Sequence, residues 1–121
     1  MKSCLIVDDS KVIRMVARTI LEELDFEVLE ATDAEVAVDT CTKRMPDAIL
    51  LDWNLQAMTG LDFLRQLRGM SGGKAPEVEF CTTENDPGHI ERAFSTGAGE
   101  YILKPFDSKI VQLKFSQVDL I

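Results

Sequence analysis

The residues that could do chemistry are acidic, and each follows a short apolar run. Asp8 and Asp9 come after residues 4–7, and Asp52 comes after residues 48–51. A short apolar run without alternation is typical of a strand buried on both faces in a parallel sheet. Because a buried strand does not hold a bare carboxylate at mid-length, we expect Asp52 where its strand emerges into a loop. By itself, Asp52 fits a reactive carboxylate and a turn or helix-capping aspartate equally well.

The elements that must position these residues alternate along the chain. We predict strands at residues 3–7, 26–31, 48–52, 78–82 and 101–103. Apolar residues at three- and four-residue spacing predict helices that begin after Ser10, Asp33, Gly60, Asp86 and Asp107, the last running almost to Ile121. Strict alternation with short connections predicts one α/β domain, a parallel sheet covered by helices on both faces.

Some side chains are assigned a position by these patterns. The spacing places Val16 on the inward face of the first helix and Phe94 on that of the fourth. Glu79 conflicts with the pattern, because it lies inside a strand that should be apolar on both sides. We expect it near the strand's N-terminal entrance, where its carboxylate can reach water; a truly buried Glu79 would be costly or protonated.

The bulk composition narrows the function classes. The chain has 121 residues and a formal net charge of −8, which fits a single domain over residues 1–121 and disfavours nucleic-acid or anionic-membrane binding. Cys4, Cys41 and Cys81 lack a metal-binding or disulfide spacing and are typical of core residues in a reducing compartment. Neither a signal sequence nor a transmembrane-length segment is evident, so we expect a cytoplasmic protein without membrane insertion.

In a parallel sheet, the carboxyl ends of all strands meet at one edge, and ligands bind there. That edge receives Asp8, Asp9, Asp52, Asn54, Thr82 and Lys104. Clustered carboxylates repel one another unless a cation lies among them, and an oxygen-only set suits Mg²⁺. A lysine and a hydroxyl nearby are what a transferred phosphoryl group needs, and a carboxylate can itself accept that group as an acyl phosphate.

Each residue also has a purely structural interpretation when taken alone. Asp8 and Asp9 could complement a helix N-terminus, Thr82 could be an ordinary strand residue, and Lys104 a surface lysine. Only their convergence favours chemistry.

The combined motifs resemble the receiver domain of two-component response regulators, over essentially the whole chain. They are VDDS at 7–10, LDWN at 51–54, CTT at 81–83 and YILKPF at 101–106. The resemblance implies a flavodoxin-like (βα)5 fold, with a doubly wound five-stranded parallel sheet in the order 2-1-3-4-5.

The resemblance also implies roles at the sheet edge. Asp52 would be the phosphoacceptor, and the donor would be a histidine kinase, a histidine phosphotransfer protein or a small molecule such as acetyl phosphate. Asp8 or Asp9 would bind Mg²⁺ together with Asp52 and the backbone carbonyl of Asn54. Lys104 would pair with the phosphoryl oxygens. The peptide bond between Lys104 and Pro105 is expected to be cis.

Two further pairs carry expectations from the same resemblance. Thr82 would reorient toward the phosphoryl group while Tyr101 moves between outward and inward rotamers, a population shift. Asn54 and Glu84 occupy the positions that tune hydrolysis of the acyl phosphate, and this pair favours a short-lived signal of the chemotaxis type. Trp53 also matches that type and would report on Asp52.

The chain ends soon after the fifth helix, so we expect a stand-alone regulator rather than an enzyme. Its output would be binding to a downstream protein through helix 4, strand 5 and helix 5. In the last helix, Ile110 and Leu113 form one apolar row, and Val111, Phe115 and Val118 another. Phe115 could contact a partner, but it could equally lie in the core or pack on helix 4.

Other functions remain open. They are a phosphorelay shuttle or phosphate sink, or the receiver portion of a longer regulator. An Asp-nucleophile phosphatase is disfavoured because Asn54 stands where a second acidic residue is needed. A nucleotide or flavin carrier is disfavoured because no phosphate-binding loop follows the first strand.

Overall fold

The computed structural model describes residues 1–55, 58–83 and 87–121. Its strands are β1 Ser3–Val7, β2 Glu27–Ala31, β3 Ala48–Asp52, β4 Glu77–Thr82 and β5 Glu100–Leu103. Its helices are α1 Lys11–Glu23, α2 Ala34–Lys43, α3 Gly60–Arg68, α4 Pro87–Thr96 and α5 Ser108–Gln117. The strands are parallel and ordered β2-β1-β3-β4-β5, which confirms the flavodoxin-like fold.

The sheet separates two apolar cores because successive side chains of a strand point to opposite faces. Leu5 and Val7 of β1 lie in the core that includes buried residues of α2, α3 and α4, whereas Cys4 and Ile6 lie in the core with α1 and α5. Every residue of β1 and of β3 is buried. The apolar run before Asp52 is therefore the central two-sided strand that the sequence predicts.

Capping residues fix where the helices begin, and with them the short loops at the edge of the sheet. The side chains of the predicted start residues Ser10, Asp33 and Asp107 accept hydrogen bonds from backbone N–H groups one turn later, and so does Thr59, which the sequence prediction left in the loop. Each bond satisfies one of the free donors of a helix N-terminus. The predicted cap Asp86 lies outside the described residues.

Two predicted inward side chains are exposed, and both predictions were wrong. Val16 is 42% exposed because α1 buries only a narrow face of Ala17, Ile20 and Leu21. Phe94 is also 42% exposed, and its ring packs edge-on against Tyr101 at 6.4 Å between centroids. In α4 the small Ala93 takes the fully buried position instead.

The last helix resolves the alternatives for its apolar rows. Phe115 is fully buried and lies 5.4 Å from the Phe26 ring in a T-shaped contact, so it belongs to the core and is not a partner contact. Leu113 is half exposed. The helix ends at Gln117, earlier than predicted, and Asp119 just beyond has a left-handed φ of 61°.

Glu79 is fully buried, and neither of its carboxyl oxygens has a hydrogen-bond partner among the described residues. The expectation that it reaches water at the strand entrance was wrong, because β4 begins two residues earlier at Glu77. Burial raises the pKa of Glu79 to about 8, with a further upward contribution from Glu100 and Glu77 that Lys114 opposes. Glu79 is therefore mostly protonated at neutral pH, as expected for a buried carboxyl group.

None of the helices within residues 1–55, 58–83 and 87–121 has the length and apolar character needed to cross a bilayer.

The buried carboxyl group predicts a pH-dependent stability. The pKa of Glu79 is raised from about 4.5 to about 8, so the folded chain binds more protons than the unfolded chain between these pH values. Stability from this group falls as pH rises through that window and stays low above it. We expect Glu79→Gln to raise the unfolding free energy by roughly 5 kcal/mol at pH 8.5, since each unit of this pKa difference corresponds to about 1.4 kcal/mol.

Urea unfolding at pH 4.5, 7 and 8.5 measures this difference, which should nearly vanish at the lowest pH. The exposed Glu91 on α4 offers a control, since Glu91→Gln should change stability by less than about 0.5 kcal/mol at each pH. A stability difference between wild type and Glu79→Gln that did not grow with pH would contradict the prediction.

Candidate functional site

Three carboxylates converge at the carboxyl edge of the sheet. Asp8 directly follows β1, and Asp52 is the last residue of β3. Asp8 and Asp52 are buried, whereas Asp9 is exposed. One oxygen of each carboxylate lies within 4.8 Å of the others. The structure therefore brings together the three acidic residues that the sequence predicts as a group, with one of them open to solvent.

Asp8 is held in place from both sides. Its backbone N–H donates to the carbonyl of Ala31 at the end of β2 (3.1 Å), and its Oδ1 accepts from the Ser10 N–H (2.9 Å). The guanidinium of Arg14 donates to the Asp8 carbonyl (2.9 Å) and to Glu30 Oε1 (3.0 Å). Sequence reasoning missed Arg14, for which the only signal is a basic residue in the first turns of α1.

The backbone around Asp52 is equally constrained. The N–H of Trp53 donates to the carbonyl of Cys81 (3.1 Å), and the Trp53 carbonyl accepts from the N–H of Gly60 (2.8 Å). A Cβ atom at position 60 would overlap the backbone carbonyl of Asp52. Glycine at this position therefore lets the start of α3 approach the end of β3 closely.

Lys104 connects two of the carboxylates. Its Nζ donates to Asp8 Oδ2 at 2.8 Å and to Asp52 Oδ1 at 3.0 Å. Its backbone N–H donates to the carbonyl of Thr82 (2.8 Å), which places the residue at the end of β5 beside β4. The Lys104–Pro105 peptide bond is cis, as predicted. The lysine is therefore aimed into the acidic group and is not a surface side chain.

The charges at this edge are unbalanced. Burial raises the pKa of Asp52, hydrogen bonding and attraction from Lys104 lower it, and the charge of Asp8 raises it; the net change is upward. Burial alone would lower the pKa of Lys104, but hydrogen bonds from its ammonium to Asp8 and Asp52 leave it raised. Three ionised carboxylates and one ammonium leave two negative charges, and a hard oxygen donor set of this kind fits Mg²⁺.

Asn54 lies at the mouth of the site. It is exposed, and it forms an isolated antiparallel bridge with Thr59 at the start of α3. Its backbone hydrogen bond to Asp52 favours the ionised form of that carboxylate and so lowers the pKa. Its exposed side chain is placed to contact solvent beside Asp52. Binding of a metal by its carbonyl stays a prediction.

A ring stack leads from Asp52 toward α4. Trp53 is 8% exposed, and its ring stacks on His89 of α4 at 4.8 Å and 21°, and packs against Phe80 at 5.0 Å. The three rings line a small cavity together with Thr82 and Tyr101. The structure thus places the two predicted switch residues around one cavity. Sequence reasoning missed His89, because a single histidine on a helix carries no specific signal.

Tyr101 lies on β5 between α4 and α5. The ammonium of Lys114 lies 4.7 Å above the centre of its ring, in a cation–π geometry. Phe94 packs against it from α4. Glu84, the second residue predicted to tune hydrolysis, lies outside the described residues.

Comparison with known proteins decides the family. Residues 4–115 match the family described as "Response regulator receiver domain". The chain belongs to this family. The resemblance in the sequence motifs is therefore confirmed, and the site just described lies at the position where the receiver fold brings its strand ends together.

Individual receiver proteins show how far the similarity extends. The chain is 35% identical over 105 residues to the phosphate regulon transcriptional regulatory protein PhoB of Escherichia coli, which covers 87% of this chain and 46% of PhoB. The chain thus spans about half the length of that relative. It is 32% identical over 116 residues to chemotaxis protein CheY1 of Helicobacter pylori, covering 94% of each.

The same similarity holds in three dimensions. The structure of chemotaxis response regulator CheY4 of Vibrio cholerae matches this chain with a TM-score of 0.91 at 30% identity, over 98% of both chains. The receiver fold and its sheet order are therefore shared with solved structures along nearly the whole length.

The excess negative charge predicts that Asp52 is destabilising without a bound cation. Burial and the neighbouring Asp8 raise its pKa, so ionised Asp52 is less favourable in the folded chain than in the unfolded chain. We expect Asp52→Asn to raise the unfolding free energy by about 1 kcal/mol at pH 7 in a chelator. The gain should disappear as pH falls below the ordinary pKa of aspartate, about 3.9, where both states are protonated.

Urea titrations of both proteins in chelator check this expectation. Asp39 on α2 is exposed, and Asp39→Asn should change stability by no more than about 0.5 kcal/mol. A clear loss of stability in Asp52→Asn at pH 7 would show instead that the bond to Lys104 outweighs the repulsion.

Proposed function

We propose that the protein is a phosphorylation-controlled signalling receiver and that Asp52 accepts the phosphoryl group. The single observation that supports this most is the contact of Lys104 with both Asp8 and Asp52 in a group of three carboxylates. A buried carboxylate beside a lysine and a hydroxyl is the arrangement that phosphoryl transfer needs. Residues 1–121 would form one cytoplasmic receiver domain that works as a signalling protein and not as an enzyme.

The transfer step follows from the side chains at the site. A carboxylate oxygen of Asp52 forms a bond to phosphorus while the P–N bond of a phosphohistidine breaks, and the imidazole nitrogen keeps the electron pair and takes up a proton. The phosphohistidine belongs to a histidine kinase or a histidine phosphotransfer protein. With acetyl phosphate, the P–O bond breaks and acetate leaves. Lys104 gives up its bond to Asp52 Oδ1 and donates to a phosphoryl oxygen.

The donor set fits Mg²⁺ on charge and on ligand chemistry. Asp8, Asp9 and Asp52 would hold the ion, with the backbone carbonyl of Asn54 as a further ligand. A bound Mg²⁺ neutralises charge on the phosphoryl oxygens. In its absence, the Lys104 ammonium is the positive charge that keeps Asp8 and Asp52 close together.

The output we propose is binding of a downstream protein by the surface of α4, β5 and α5. Phe94, Leu103 and Leu113 on these three elements are each at least 39% exposed. Thr82 would donate its hydroxyl to the phosphoryl group, and the shared cavity would let Tyr101 change its position in response. A bound phosphoryl group shifts such an equilibrium only through contacts that differ between the two states.

Two output classes have support. Chemotaxis-type control is favoured by the full-length similarity to CheY1 and CheY4. The second candidate is the receiver portion of a longer regulator, favoured by the 35% identity to part of PhoB, which is named a transcriptional regulatory protein. Binding to a flagellar switch protein or to the rest of a regulator chain would discriminate between them.

The fluorescence of Trp53 tests the acceptor. Trp53 is the only tryptophan and directly follows Asp52, so its emission should change with Mg²⁺ and again with beryllofluoride or acetyl phosphate. At ten times its dissociation constant, Mg²⁺ should also raise the unfolding free energy by about 1.4 kcal/mol. Asp52→Asn should lose the beryllofluoride response, and Asp39→Asn should keep it.

No fluorescence response in the wild type, or an equal beryllofluoride response in Asp52→Asn, would rule out Asp52 as the acceptor.

The lifetime of the phosphoryl group tests the chemotaxis-type assignment. We propose that Asn54 and Glu84 tune hydrolysis, as the receiver-type motifs imply; the Asn54 side chain, two residues beyond Asp52, is exposed to water. Asn54→Ala and Glu84→Ala should each lengthen the half-life of the acyl phosphate several-fold, measured by loss of radioactive phosphate. Gln117→Ala on α5 is the control. A half-life of many hours that neither change affects would contradict the assignment.

A further inference from the structure

A second group of charged side chains lies at the start of β5, away from the carboxylates at the carboxyl edge of the sheet. Lys114 on α5 forms an ion pair with Glu100 of β5, with 3.4 Å between Nζ and Oε1. The same ammonium lies over the ring of Tyr101. The side chains of Lys114 and Glu100 are each only 18% exposed, so both contacts are partly shielded from water.

The buried Glu79 lies on β4, the strand next to Glu100. Glu79 and Glu100 are register partners on β4 and β5, and Glu79 lacks a hydrogen-bond partner among the described residues. The ionisable groups that interact electrostatically with Glu79 come from four elements: Glu77 and Cys81 on β4, Glu100 on β5, Lys114 on α5 and Cys4 on β1. Lys114 is the cation of this set, and its charge favours ionised Glu79.

We propose that Lys114 positions Tyr101, and that the protonation state of Glu79 controls this by competing with Tyr101 for the Lys114 ammonium. While Glu79 is neutral, Lys114 is shared between Glu100 and the Tyr101 ring. When Glu79 ionises, two adjacent carboxylates attract the ammonium away from the ring, and Tyr101 loses its cation–π contact. The consequence for output rests on the proposed role of Tyr101 as the switch residue.

The burial of Glu79 lets its charge change near neutral pH. Burial without a partner raises the pKa of Glu79 to about 8, so a modest rise in pH changes its charge. Glu79 lies apart from the phosphorylation site, because the groups that shift its pKa are Glu100, Glu77 and Lys114, none of which belongs to that site. The pH effect on Tyr101 is therefore expected with or without a phosphoryl group on Asp52.

Carbon-13 labelling of tyrosine gives a direct test, because Tyr101 is the only tyrosine in the chain. Its ring signals should follow a single titration curve centred near pH 8 in the wild type, below the pH at which a phenol itself ionises. Glu79→Gln should abolish this curve. A curve that persists unchanged in Glu79→Gln would overturn the proposal.

Two lysines on the same helix provide a matched pair. Lys114→Gln should shift the Tyr101 ring signals and remove their titration, whereas Lys109→Gln changes the same charge at an exposed position of α5 and should retain the wild-type curve. Lys114→Arg should restore the titration, since a guanidinium also stacks on an aromatic ring. A wild-type curve in Lys114→Gln would overturn the positioning role.

Two further measurements separate failure of this proposal from failure of folding or of the phosphoacceptor assignment. If Glu79→Gln does not fold, the side-chain carbon signal of Glu79 in the wild type decides, because titration near the ordinary value of about 4.3 would overturn the proposal. Asp52→Asn should keep the Tyr101 titration even though it loses the beryllofluoride response of Trp53. Failure of the phosphoacceptor assignment would thus appear at Trp53, and failure of the Lys114 proposal at Tyr101.

Discussion

The bridge from the Lys104 ammonium to Asp8 and Asp52 is the interaction on which the site depends. Three carboxylates each place an oxygen within 4.8 Å of the others, and the repulsion is strongest between Asp8 and Asp52, which are buried. One ammonium offsets only part of that repulsion, so the site has a net negative charge. The same imbalance that we expect to destabilise the fold would favour binding of a cation, as in the proposed Mg²⁺ site.

The fold supplies this arrangement through the parallel sheet. β1, β3 and β5 contribute one partner each, and their register puts the strand ends side by side. Backbone N–H groups of Asp8, of Trp53 next to Asp52, and of Lys104 donate to carbonyls of neighbouring strands, so repulsion cannot simply push the carboxylates apart. Functional sites in proteins commonly place charged groups close together on a rigid backbone, so that the groups are preorganised for their chemistry.

Much of this could be predicted from sequence because it depends on local patterns. Apolar runs predicted the strands, the capping residues Ser10, Asp33 and Asp107 predicted three helix starts, and polar residues after strands predicted the site. Two kinds of feature were not predictable in this way. Val16 and Phe94 depend on how much of each helix the sheet covers, which periodicity does not report. Arg14 and His89 act through tertiary contacts, to the Asp8 carbonyl and to the Trp53 ring, that single positions do not signal.

Glu79 shows most clearly where local reasoning stops and what its failure means. A carboxylate inside a buried strand violates the apolar pattern, and an escape to water was the expected resolution. The structure keeps it buried and resolves the conflict by protonation. Replacement by a neutral residue would remove the conflict altogether, yet the acidic group is the register partner of Glu100, which pairs with the Lys114 ammonium that lies over the Tyr101 ring. Conflicts between local pattern and fold concentrate at functional positions, and this one lies behind the strand that carries Tyr101. Close carboxylates are thus tolerated in two ways in this fold: Lys104 bridges Asp8 and Asp52 at the sheet edge, whereas beside β5 Lys114 pairs with Glu100 and Glu79 is protonated.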